Sequence, residues 1–150
     1  MDRLGMGGID CMESQALMGN RLIHHIEINV SNLRESAEFW GWLLEELGCH
    51  SFQKWDRGQS WKLGDTYIVL VQTEEQHQHP GFHRKRTGLN HLAFHAESKG
   101  KVDGITERLR EKGVTILYGD KHPYAGGEQH YAVFFEDPDR IKVEIVAPSI

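Results

Sequence analysis

The stretch GLNHLAFHAES, residues 88–98, decides the fold. Leu92, Phe94 and Ala96 alternate with His91, Ala93 and His95, the two-residue period of a half-buried β-strand. Residues 99–113 then carry Val102, Ile105 and Leu109 at helical spacing and end on Gly113. The same order occurs earlier. HHIEINV, residues 24–30, alternates Ile26, Ile28 and Val30 with His25, Glu27 and Asn29. A helix follows, opened by Asn32 with Glu35 three residues on, filled by Phe39, Trp40, Leu43, Leu44 and Leu47, and stopped at Gly48.

Each helix is followed by three strand-like segments, at about 49–56, 59–63 and 66–72 in the first half and about 114–118, 129–136 and 141–147 in the second. The order is βαβββ, twice, and an internal repeat of this kind sets the architecture. The predicted class is α+β, with two βαβββ modules forming a curved, cup-shaped mixed sheet and helices on its outer face. The modules cover about 22–76 and 88–148 of one domain, 21–150, and the His-rich HQHPGFHRKRT, residues 77–87, is read as a solvated connector.

Composition narrows the function. A 150-residue chain with 39% hydrophobic and 26% charged residues is long enough to bury a core as one domain. Its formal net charge of -5 argues against a nucleic-acid or anionic-membrane partner, which asks for a basic face. Two cysteines without paired spacing, Cys11 and Cys49, suit a reducing cytoplasm. Residues 1–20 lack the basic start and apolar centre of a signal peptide and read as a flexible leader, and no apolar run approaches a membrane span.

Strand parity selects the chemistry. In IKVEIVA, residues 141–147, Ile141, Val143 and Ile145 form the apolar set, leaving Lys142 and Glu144 opposite. Three strands, each covered by a helix on one face, therefore offer His25, His91 and Glu144 on the other. His25 and His91 hold the same place in the two copies of the repeat, whereas His24 falls on the helix side. Two imidazoles and one carboxylate around a shared cavity make an open site for one divalent metal, with Fe, Mn, Zn, Ni or Co all compatible.

The doubled βαβββ order, the openings HHIEINV and NHLAFHA and the ending FFEDPDRIKVEIV resemble the vicinal-oxygen-chelate superfamily across about residues 22–147. That superfamily groups glyoxalase I, extradiol dioxygenases, fosfomycin-resistance enzymes and bleomycin-binding proteins. The resemblance implies His25, His91 and Glu144 as metal ligands, and a fold often completed by dimerisation. It also implies a Lewis-acid metal holding two neighbouring oxygens of a small oxygen-rich substrate, for lyase- or isomerase-type chemistry through an enolate or alkoxide. An extradiol-type ring-cleaving dioxygenase and a metal-free resistance protein that sequesters a compound are the alternatives.

Departures separate the subfamilies. Glyoxalase I places a second carboxylate in the last strand of its first module. Aligning the turn Gly64-Asp65 with the turn Asp139-Arg140 puts Val69 there, and valine neither ligates nor moves a proton. Extradiol enzymes use a tyrosine before the Asp-Pro turn, where this chain has Phe134 and Phe135. Fosfomycin-resistance enzymes would need a phosphonate-binding cluster, for which Arg84, Lys85, Arg86 and Lys142 are the candidates. Glu144 and Glu27 are the candidate catalytic carboxylates. His95 on the pocket wall, with Tyr124 and His130 in the lid-like loop KHPYAGGEQHY, residues 121–131, are the candidate substrate contacts. Trp40 faces the core by helical spacing, while Trp55 and Trp61 lie on strands able to line the cup.

Overall fold

A computed structural model describes residues 21–149, and the leader lies outside the described residues. The element order is the expected repeat. Module 1 runs β1 (His25–Val30), α1 (Leu33–Glu46), β2 (His50–Trp55), β3 (Gly58–Leu63) and β4 (Thr66–Gln72). Module 2 runs β5 (His91–His95), α2 (Lys99–Glu111), β6 (Ile116–Leu117), β7 (Ala132–Glu136) and β8 (Lys142–Val146). A single 3₁₀ turn at Glu75–His77 begins the connector.

The strands form one four-stranded mixed sheet per module, in the orders β1-β4-β3-β2 and β5-β8-β7-β6, as the α+β repeat predicts. In each, the module's first strand is an edge and runs parallel to its last strand. The remaining pairs are antiparallel, with a register shift in β2 between Ser51 and Gln53.

The helices form where their ends are satisfied. Asn32 accepts the Glu35 N–H at 3.1 Å, and Ser98 accepts the Lys101 N–H at 3.1 Å, each closing an orphan donor of the first turn. Gly48 (φ 95°) and Gly113 (φ 73°) end the helices in the left-handed region, which favours glycine.

Parity then sorts the side chains. Ile28 and Val30 are buried while His25, Glu27 and Asn29 are exposed. Trp40, Leu43 and Leu44 of α1 and Val102, Ile105 and Leu109 of α2 are fully or almost fully buried, each side chain stabilising by about 1.5–3 kcal/mol. One hydrophobic cluster joins both modules. Within it Phe39 meets Phe135 at 6.1 Å between ring centroids, and Trp40 meets Phe94 at 6.1 Å. The modules therefore pack through the apolar side of their sheets and helix α1.

Trp61 is corrected by this packing. It pairs with Ile68 and is 2% exposed, facing the helix rather than lining a cup. Its ring lies against Gly41, where an added Cβ would stand 3.0 Å from Trp61 Cζ2, so a glycine mid-helix gives the indole its room. Trp55 remains 44% exposed, its ring over Gly58.

Candidate metal and substrate centre

Parity and register assemble the centre on sheet β5-β8-β7-β6. His91 pairs with Lys142, and Ala93 with Glu144, so His91, Lys142 and Glu144 share the face opposite Leu92, Val143 and Ile145. Glu144 is only 5% exposed. His91 Nε2 lies 3.1 Å from Glu144 Oε2, while His91 Nδ1 is 2.7 Å from Asn90 Oδ1. The Asn90 amide oxygen on Nδ1 and the Glu144 carboxylate on Nε2 hold the imidazole ring from both sides and fix its orientation. An imidazole nitrogen beside a carboxylate oxygen is an N/O pair of the type that first-row divalent metals take, and the residue types fit such a metal on that ground.

His130 closes the other side, with its Nε2 against Glu144 Oε1. The ring fits because Gly126 has no side chain; an added Cβ would stand 2.4 Å from His130 Cδ2. The loop that carries His130 is a succession of tight turns, linked by Tyr124 N–H to Lys121 O, Gly127 N–H to Tyr124 O, and His130 N–H to Gly127 O. Tyr131 anchors its end by donating to Asp103, which pushes the phenol up to about 12. Tyr124 packs edge-on against Tyr131, 5.6 Å between centroids, and is 48% exposed.

The other expected residues lie apart. His25 stacks on Tyr67, 4.8 Å between centroids and 3° between planes, with its Nδ1 2.8 Å from His24 Nδ1. Glu27 is exposed beside Val69. His91 and His130 both meet Glu144, but among the described residues no group of three His, Cys, Asp or Glu is arranged to hold a metal ion within one chain. His25 and His91 stand on the edge strands of different sheets, β1 and β5. His95 lines a cleft with Glu45, Glu46 and Lys101 at the end of α1. A broader cleft lies between α1 and the turn at residues 136–140, lined by Phe39, Lys112 and Asp137, and includes none of the candidate ligands.

Two features had only a partial signal in the sequence. Lys142 Nζ donates to Tyr118 Oη at 2.8 Å and sits over the rings of Tyr118 (4.8 Å) and Phe134 (5.2 Å). The Lys142 ammonium, helped by the charges of Arg84 and Lys85, holds the Tyr118 phenol below its ordinary range. Strand parity placed Lys142 on this face, but Tyr118 carried no such signal. Behind the centre, Asp137 accepts from Trp40 Nε1 (2.9 Å), Asp139 N (2.9 Å) and Ile141 N (2.7 Å). Burial outweighs those donors and pushes its carboxyl up to about 6.

Residues 22–145 match the profile of the Glyoxalase/Bleomycin resistance protein/Dioxygenase superfamily, and the chain belongs to that superfamily. A crystal structure of a glyoxalase-like protein from Bacillus halodurans is 63% identical, with a TM-score of 0.85, covering 88% of this chain and 99% of that one. The uncharacterized protein YqjT of Bacillus subtilis is 61% identical over 127 residues, 85% of this chain and 99% of its own. The glutathione transferase FosA of Serratia marcescens is 27% identical over 128 residues, 85% of this chain and 82% of its own.

Proposed function

We propose that the protein is a divalent-metal-dependent enzyme acting on a small oxygen-rich molecule, with His25, His91 and Glu144 as the protein ligands. The observation that carries this reading is the His91 ring, held by Asn90, with its Nε2 3.1 Å from Oε2 of the buried Glu144. His25 holds the matching position on the edge strand of the other sheet. A second copy of the chain, bringing its β1 beside β5, supplies it, so the working unit is a homodimer. When bound, the metal supplies Lewis acidity toward two neighbouring substrate oxygens.

The chain's own residues do the rest. Glu144 holds its ligating oxygen in place while His130 occupies the other. Glu27, one residue pair beyond His25 along β1, is the carboxylate placed to take up a proton. Tyr124, in the loop that carries His130, is the candidate contact at the rim; His95 is left to the separate cleft beside Glu46. Val69 leaves no second ligating carboxylate, which favours bond cleavage or addition over proton shuttling between adjacent carbons.

Likeness to a glutathione transferase supports a second reading, thiol addition at the same centre. Titration with Mn(II), followed by electron paramagnetic resonance, tests the proposal: one ion binds per chain and the Glu144→Ala protein binds none. Full occupancy in that variant contradicts it. Metal-dependent consumption of glutathione thiol against small electrophiles separates the second reading from the first.

A further inference from the structure

Lys142 is a charged residue only 9% exposed, and among the described residues no carboxylate lies within ion-pair distance of it. Glu136, its register partner, is taken by Arg84 at 2.7 Å and Arg140 at 3.4 Å. Glu144, two residues on, is taken by His91 and His130. A buried ammonium without a counter-ion is costly, and the faces of Tyr118 and Phe134 offset only part of that cost. An ammonium carries three N–H donors, and the acceptor it meets among the described residues is the Tyr118 hydroxyl.

Tyr118 adds an independent sign. Its φ of 55° puts a bulky side chain in the left-handed region, a strain that marks functional positions. That backbone places the phenol beside the ammonium.

We propose that Lys142 and Tyr118 form an anion-anchoring arm of the substrate site, taking a carboxylate or a phosphorus oxyanion. The inference rests on the proposed function for its meaning, because the arm shares its sheet face with His91 and Glu144. Two residues along a strand separate Lys142 from Glu144, about 7 Å, so the substrate carries its anionic group roughly that far from the oxygens the metal engages. The substrate's charge is then the counter-ion that the fold omits.

The test uses the full chain freed of metal with a chelator, so that it stands apart from metal binding. Thermal unfolding is followed against inorganic phosphate and, separately, acetate, at ionic strength fixed with chloride. A ligand that binds only the native state raises Tm saturably. The wild type is expected to respond to phosphate, acetate or both, and the stronger response names the source. Lys142→Met fills the space without the charge and is expected to lose the response. Tyr118→Phe, altered at a partly exposed position and so safe for folding, weakens binding about tenfold by removing one donor to a charged group. Mn(II) affinity of Tyr118→Phe stays at the wild-type value. No wild-type response to either anion, an unchanged response in Lys142→Met, or wild-type affinity in Tyr118→Phe would each overturn the arm. Failure of Mn(II) to bind the wild type would sink the metal reading and leave the anion result standing.

Discussion

Val69 stands in module 1 where Glu144 stands in module 2. Val69 pairs across the parallel ladder with Glu27, and Glu144 pairs with Ala93, the corresponding positions of the two first strands. The two halves thus exchange roles: one puts its carboxylate on the first strand, the other on the last. Proton transfer between adjacent carbons needs a base within about 3 Å of the carbon, and a positioned base contributes about 100- to 10,000-fold. Steady-state assay of the metal-loaded protein with the methylglyoxal–glutathione hemithioacetal is expected to give turnover well below about 10 per second, an ordinary enzyme rate. A faster rate would show that another residue supplies the base, and Glu27→Gln would identify it.

Association is the second expectation. Edge strands β1 and β5 present unpaired backbone, and His25 lies apart from His91 and Glu144 within one chain. Multi-angle light scattering is expected to give twice the 17.2 kDa chain mass at micromolar concentration. A monomer under those conditions contradicts the shared site.

Asp137 gives a pH signature of stability. Its folded carboxyl titrates at about 6, above its ordinary value, so the native state keeps a proton that the unfolded chain has released. The contribution is fully present below about pH 4 and is lost as pH rises through 6. Denaturant unfolding of the wild type against Asp137→Asn is expected to show the wild type losing about 3 kcal/mol relative to the variant over that window. Parallel stability curves for the two proteins would rule out the raised pKa.

Trp40 tests the joint between the modules. Trp40→Phe removes the indole N–H that reaches Asp137 at 2.9 Å and shrinks a fully buried side chain. Loss of that bond to a buried carboxylate is expected to destabilise by about 2–3 kcal/mol, read from the urea midpoint. A change under about 0.5 kcal/mol would make the contact incidental.

The repeat and the facing of each strand were legible because parity is a local property: Ile28 and Val30 point in, His25 and Glu27 out, as alternation requires. Trp61 was not, since both it and Ser60 are buried and only the neighbouring Gly41 shows which side the indole takes. His130 was legible as a candidate but not its partner. Its place against Glu144 depends on the turns from Tyr124 to His130 and on the space at Gly126. Tyr118 has no local signal, because its setting comes from a left-handed backbone and from Lys142, 24 residues away. Asp137 read only as a turn residue, and its indole partner lies 97 residues earlier in the chain.

His25 is the proposed ligand that stands on a different sheet from His91 and Glu144. Elemental analysis of the His25→Ala protein after metal loading and exhaustive dialysis tests it directly. One divalent ion per chain is expected in the wild type and less than about a tenth of that in the variant, since one of three protein ligands is gone. Stoichiometric metal in His25→Ala, alongside its loss in His91→Ala, would contradict the shared three-residue centre and place the third ligand elsewhere.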